Sequence, residues 1–433
     1  MAISICAVLG FAGVARAQIS SDAAQPPTKG ALYRDGQTGR YLLGGTWLYR
    51  ADPGDVGMAQ DWWADSPGDD GWAPVSLPNV YNASDFSLAS WQGSIGWYRR
   101  DFTVPVGAFA QYVPDTARRW IVRFESVNYR AAVWLNGRLI GTHVGLNLPF
   151  EFDLAGVRPG INRLVVRVDS RHLPDDLPPG PGGGWWNYGG ILREVYLRAA
   201  QRADIAQVAV HPFLPCPRCA AAVAERVLVR NVTGARQTVR LTGRYGAHAL
   251  DFGVASIAPH RAWTAAAWVS IPHPRLWSID HPALYRATLT LSDQNHRQIG
   301  GYVTYSGIRS ITVKRGRLML NGRALNLRGV EFREQDLQLG GALDPEHLQR
   351  LVAWVRALGA TVIRSDPLNP QIAEIADRDG ILLWSDIPVT QQFSNLDPSQ
   401  PTWKASALSL LKQNILTNEN HPSLLVWNIA NEL

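Results

Sequence analysis

The side chains most able to do chemistry crowd toward the end of this sequence. In "SLLVWNIANEL" an apolar run closes on Asn431 and Glu432. A carboxylic acid beside an amide suits hydrolysis of a polarised C–O bond, with the acid protonating the leaving oxygen while the amide orients nearby hydroxyls. Two further groups share that placement: "ATVIRSD" and "GILLWSDIP" read as apolar strands carrying Arg364 and Asp386 toward their C-terminal ends. A guanidinium and a second acid could hold sugar hydroxyls or a carboxylate beside Glu432. Spacing alone leaves a plainer alternative open, in which Asn431 and Glu432 are an exposed loop after a core strand.

What positions these groups is a stretch where strand and helix alternate. It begins after "GRLMLNGRALN", an Asn-Gly hairpin at Asn321-Gly322. "LNLRGVEF" reads as a strand, followed by a helix from Pro345 to Leu358 in which Leu348, Leu351, Val352, Val355 and Leu358 keep the 3.6-residue spacing. Asp344 is its expected N-cap, with Pro345 at the first helical position. Asn369-Pro370 opens a second helix running to Asp379, "WKASALSLLKQNILTN" is a third, and "SLLVWNIANE" is the fourth strand. Such alternation means parallel βαβ units. A (β/α)₈ barrel takes about 250 residues for eight units, so residues 311–433 are expected to be its N-terminal half, with the sequence stopping mid-fold. Barrel enzymes carry their catalytic groups at the C-terminal ends of strands. Arg364, Asp386, Asn431 and Glu432 sit at such ends on strands two, three and four.

The preceding residues follow a period of two. In "RWIVRFESV" Trp120, Val122 and Phe124 point one way while Ile121, Arg123 and Glu125 point the other, and "NRLVVRVDS" repeats the device with Leu164, Val166 and Val168. Both read as half-buried strands. "AAVWLNGRLIG" places Asn136-Gly137 between two apolar runs, a hairpin signal. With no helical period up to about residue 200, residues 31–200 read as one β-sandwich. Residues 201–310 continue with "RVLVRNVT", "TVRLTGRYG" and "LYRATLTLS", the length and pattern of an immunoglobulin-like sandwich. The Pro- and Gly-rich "LPDDLPPGPGGGWWNYGGILREVYL" is a loop before a last strand, with neither GK[ST] nor a glycine fingerprint to cradle phosphate.

Composition narrows the class. A chain of 433 residues, 46% hydrophobic and 18% charged, is a folded protein of two to three domains. No apolar run long enough to span a membrane occurs beyond the extreme N-terminus. The net charge of +6 is scattered arginine rather than basic runs, which argues against a nucleic-acid partner. The 17 tryptophans are read as core before sugar-stacking platforms. "MAISICAVLGFAGVARAQ" is apolar to Val14 and offers Ala15-Arg16-Ala17 before Gln18, a signal peptide over 1–17 that lacks the usual positive n-region. The expected location is secreted or periplasmic, with 18–30 as a linker. Cys6 falls in the leader. Cys216 and Cys219 in "PCPRC" are too few for a four-cysteine zinc site, and a local disulfide and two idle thiols both stay open. No cofactor or metal is expected, since none of the ten histidines pair as H-x-x-x-H.

Taken together, "GGTWLY", "GWYRRDFTVP", "VNYRAAVWLNGRLIGTHVGLNLPFEFDL", "WWNYGGILREVYL", "PRLWSIDHPALY", "LNGRALNLRGVEF", "GILLWSDIP" and "NHPSLLVWNIANE" appear in an order that resembles glycoside hydrolase family 2 over about 400 residues. That family comprises retaining β-glycosidases that include β-galactosidases, β-glucuronidases and β-mannosidases. The resemblance implies a sugar-binding jelly roll, an immunoglobulin-like sandwich and a TIM barrel. It makes Glu432 the general acid/base, with Asn431 on the sugar 2-hydroxyl and Arg364, Asp386 and Arg333 as further substrate-binding residues. A retaining mechanism also needs a nucleophilic carboxylate, which the family supplies from strand seven, and the resemblance therefore implies a sequence cut within the barrel and inactive alone.

Three departures accompany the resemblance. Where the family reads G-V-N-x-H-E, this sequence has "GVEFREQ", with Glu331 and Arg333 at the Asn and His positions. "TVIRSDPLNP" keeps Arg364 but puts Thr361 for an Asn and lacks a His, and Asp386 stands where many members have Glu. The sugar bound therefore need not be galactose or glucuronic acid. The expected partner is a carbohydrate substrate, with a homo-oligomer allowed. A competing reading is a non-catalytic carbohydrate-binding or scaffold protein with a decayed barrel.

Overall fold

Period-two patterns dominate up to residue 314, and the chain answers with antiparallel sheets. The computed structural model describes residues 27–65, 68–104, 119–173, 176–178, 186–389 and 401–431. The expected leader with Cys6, and Glu432, lie outside the described residues. The end of the expected linker is instead a strand, Thr28–Lys29, paired with Leu42 and Tyr41.

Two sheets form the first sandwich. One has five strands in the order Thr28–Lys29, Arg40–Leu42, Val195–Ala200, Arg119–Phe124 and Phe150–Asp153. The other has six, in the order Arg138–Val144, Arg130–Leu135, Ile161–Asp169, Ile95–Thr103, Thr46–Ala51 and Ala73–Ser76. Trp120, Val122 and Phe124 of the first meet Leu164, Val166 and Val168 of the second in one buried core. The hairpin is where Asn-Gly places it, with φ 49° at Asn136 and 78° at Gly137.

The strands are not half-buried, because both faces are covered. Val165 packs behind its sheet with Ile95, Trp97 and Trp134. Arg123 pairs with Glu125 at 2.5 Å, and Arg198 with Glu151 at 2.6 Å and Asp204 at 2.7 Å. Charged side chains accept this burial only because each is paired. A short helix, Leu88–Gln92, also interrupts the all-β run, capped by Ser87, whose side chain accepts from the Ser90 amide.

The second sandwich stacks Ala203–Phe213, Ala221–Asn231 and Ala262–Ile271 on a five-stranded sheet of His248–Ile257, Gln237–Tyr245, Tyr285–Asp293, Gln298–Ser306 and Gly36–Gln37. That last strand comes from the N-terminal segment, with Gly36 opposite Val303, so the chain start ties the two sandwiches together. Cys216 and Cys219 are joined in a disulfide.

From Gly329 the strands turn parallel, in the order Gly329–Glu331, Val362–Ser365, Leu382–Asp386 and Leu424–Asn428. Helices Pro345–Ala357, Pro370–Asp379 and Pro401–Asn418 connect them. The Asp344 side chain accepts from the His347 amide and Asn369 from the Gln371 amide, each followed by proline at the first helical position. Ile363 and Leu383 point to the helices, in a core with Leu348, Val352 and Ile372. Val362 and Leu382 point to the other side, where Trp277 and Leu320 close the floor. Helix Pro370–Asp379 is buried along eight consecutive residues from Pro370 to Asp377, so its polar groups must find partners in the N-terminal segment, the first sandwich and the parallel unit itself. Glu374 accepts from the Arg34 and Asp35 amides at 2.7 and 2.8 Å, Gln371 donates to Glu194 at 2.6 Å, and Asp377 meets His421 at 2.7 Å.

Candidate active site

Register decides which side chains share the inner face of the parallel sheet. Glu331 pairs with Arg364, and Arg364 with Trp384. Residues opposite one another in parallel strands point to the same side, and so do residues two apart along a strand. One row therefore holds Glu331, Arg364 and Trp384. The next row, two residues nearer the C-terminal rim, holds Arg333, Asp366, Asp386 and Asn428, with Asp386 opposite Asn428. Apolar Val362 and Leu382 lie beneath. The inner face thus changes from oily floor to charged rim within two rows.

At the rim Arg364 is the hub. Its Nη2 donates to Asn431 Oδ1 at 2.5 Å and to Asp386 Oδ2 at 2.7 Å. The fourth strand stops at Asn428, three residues short of Asn431, because Asn428 donates to the Ala430 carbonyl at 2.8 Å and bends the chain. The Asn431 amide then donates to the Val389 carbonyl at 2.7 Å, pinning the turn over the third strand. Asn431 is accordingly a residue of the turn after the strand rather than its last residue.

Arg333 belongs to an adjoining cluster. One of its nitrogens meets Asp366 and another Glu331 at 2.7 Å. Sequence reasoning missed Asp366, although it lies two residues beyond Arg364 and must share its face. It also missed Glu334, which is held by Arg193 of the first sandwich and accepts from the Asn369 amide at 2.9 Å.

Burial shifts two rim acids upward. Burial raises the Asp386 carboxyl above its ordinary value against the pull of Asn428 and Arg364, and Glu331 raises it further. Its Oδ1 is buried with no hydrogen-bond partner. Asp366 is likewise raised, by burial first, with Asp386 and Glu331 opposing the pull of Arg333. Three acids thus share two guanidiniums before Glu432 is counted. Among the described residues no group of three or more His, Cys, Asp or Glu could hold a metal ion, and no helix is long and apolar enough to cross a membrane.

Two β-sandwiches followed by parallel βα units with an acidic rim make a multidomain β plus α/β chain with part of a barrel-type sheet. Three profiles of one family match in order: Glycosyl hydrolases family 2, sugar binding domain, over residues 41–200; Glycosyl hydrolases family 2 over 205–309; and its TIM barrel domain over 311–433. The chain belongs to glycosyl hydrolase family 2. It is similar to a putative β-glucuronidase of Formosa agariphila, 25% identical over 90% of this chain and 46% of that protein. It is 27% identical to a β-galactosidase of Thermoanaerobacter pseudethanolicus over 77% of this chain and 44% of that one. In fold it is similar to Bacteroides uniformis β-glucuronidase, with a TM-score of 0.79 and 23% identity over 90% of this chain and 46% of that chain. The chain spans about half the length of these relatives.

Proposed function

We propose that this chain carries the sugar-binding sandwiches and the acid/base half of a retaining β-glycosidase, divided at 31–200, 201–310 and 311–433. The relatives named β-glucuronidase and β-galactosidase support terminal β-linked sugars as the substrate class. The observation that carries the reading is the Arg364 guanidinium bridging Asp386 and Asn431 on the inner rim, one residue before Glu432. In this assignment Glu432 is the proton donor, Asn431 meets the sugar 2-hydroxyl, and Arg364 fixes the Asn431 oxygen so that its amide NH₂ faces the ligand. Asp386, held by Arg364, orients a second hydroxyl.

Double displacement needs a nucleophilic carboxylate about 5–5.5 Å from the acid/base. Asp386, Asp366 and Glu331 are each engaged by a guanidinium, which suits positioning rather than attack. The nucleophile in this reading lies outside the described residues. Export rests on the expected leader at 1–17, and a periplasmic or secreted enzyme would meet glycans directly.

The test is steady-state kinetics of the gene product expressed to its true stop, on a panel of aryl β-glycosides with Glu432→Gln as the comparison. Loss of the acid is expected to lower kcat by about 10²–10⁴-fold for poor leaving groups. The loss should shrink for leaving groups that need no proton. Turnover by the complete protein that is undiminished in Glu432→Gln would overturn the acid/base assignment, and no turnover of any β-glycoside by the complete protein would favour the non-catalytic sugar-binding alternative.

A further inference from the structure

A cavity of about 460 Å³ opens on the outer side of the parallel unit, where helix Pro401–Asn418 faces both sandwiches. It shares no lining residue with the charged rim, and Ser409, Lys412 and Leu416 of its lining lie on the exposed side of that helix. Its size falls within the range of about 300–1,000 Å³ usual for small-molecule sites. All three structural units contribute walls, so it exists only in the assembled chain.

Its polar groups are unevenly satisfied. Gln37 donates to the Ile205 carbonyl at 3.1 Å, Gln207 to Glu419 at 3.0 Å and Gln413 to the Pro149 carbonyl at 3.1 Å. Each amide nitrogen spends one of its two N–H donors in this way, and each amide oxygen accepts no bond among the described residues, so each glutamine keeps a donor and an acceptor for a ligand. Asp35 accepts from Thr304 through Oδ2 at 2.8 Å while its buried Oδ1 has no partner. Opposite these acceptors stand two donors, the Tyr302 hydroxyl and the exposed Lys412 ammonium, neither engaged among the described residues. Asp35 Oδ1 is the one of these oxygens that is fully buried without a partner, so a ligand that hydrogen-bonds it and the amides gains from the site.

We propose that this junction is a second, non-catalytic binding site for a neutral saccharide unit. Sugar hydroxyls both donate and accept, which matches three glutamine amides that each keep an N–H and an oxygen, beside the Asp35 carboxyl and the Tyr302 hydroxyl. An anionic ligand is disfavoured because two of the lining cations are already paired, Arg123 with Glu125 and Glu151 and His421 with Asp377, and the Asp35 carboxyl stands beside them. The site would hold a glycan against the sandwiches independently of any hydrolysis at the rim.

Calorimetric titration of the full chain with lactose, cellobiose and sodium glucuronate tests this. Binding of at least one neutral disaccharide is expected, weakened at least about tenfold by Tyr302→Phe and by Gln413→Ala. It should be blocked by Leu416→Trp at the exposed mouth and retained in Arg364→Ala, with melting curves confirming that each variant folds. The proposal is overturned if no neutral saccharide binds, if the cavity variants bind as tightly as the parent, if glucuronate alone binds, or if Arg364→Ala abolishes the binding. Failure of the hydrolytic reading would leave this binding unchanged, so the two are separable.

Discussion

Arg364 asks one nitrogen to serve two acceptors, an amide oxygen at 2.5 Å and a carboxylate at 2.7 Å. Removing it in Arg364→Met has two consequences at residue scale. The Asp386 carboxyl, already raised by burial, loses its cation and is expected to rise further, which ¹³C carboxyl titration by NMR reads directly. Asn431 loses the partner that fixes its oxygen, and any β-glycosidase activity should fall about 10–100-fold in kcat/KM, from charged hydrogen bonds of about 1.5–3 kcal/mol. An unmoved Asp386 titration would show that the pair is not formed in solution. Arg364, Asp386 and Asn431 were legible in the sequence because each terminates an apolar run. Asp366 was equally legible by its two-residue offset from Arg364 and was overlooked, whereas the engagement of Arg333 by Glu331 and Asp366 depends on strand register, which one sequence does not fix.

At the scale of elements, local chemistry set the helices well. Asp344-Pro345 and Asn369-Pro370 start helices where cap and proline predict them, and Gly380 ends the second with φ 72°. What local pattern did not reveal is that helix Pro370–Asp379 is buried along eight residues, or that the His421 of "NHPSLLVW" is its clamp rather than a catalytic base. Burial alone would lower the His421 imidazole, but the Asp377 carboxylate outweighs it and raises the group to about 9, with Asp35 and Glu374 adding. Asp35 itself is pushed up to about 7 by burial, with Glu374 raising it and His421 opposing, and Arg309 also feels Asp377. A histidine raised in the folded state stabilises fully below its ordinary value near 6.5, and that stability is lost as pH climbs through 9. The contribution is about 3 kcal/mol. Melting temperature should therefore fall more steeply between pH 7 and 9.5 in the parent than in His421→Gln, and parallel curves would show that the pair carries no such linkage.

Across the whole molecule, each unit has its own apolar core, yet polar ties join them where no local signal could announce it. Arg34 and Asp35 donate backbone amides to Glu374, some 340 positions away along the chain. The period-two and period-3.6 patterns showed which fold each segment takes, while the docking of segments rests on single side chains scattered among them. Arg193 is the most consequential: it meets Glu334 and also donates to the Gly341 carbonyl at 2.5 Å, and the two charged side chains are 3% and 6% exposed. Breaking such a pair costs about 3–5 kcal/mol because the remaining charge stays buried and alone. The parent should unfold in one calorimetric transition, since the ties couple the cores. In Arg193→Ala the destabilisation falls on the junction between the first sandwich and the parallel unit, so an early transition of the parallel unit should separate from the rest. The double variant Arg193→Ala with Glu334→Ala removes the stranded carboxylate and should recover part of the loss. If the single variant melts like the parent, the units are held together by apolar contact alone and the ion pair is incidental to their assembly.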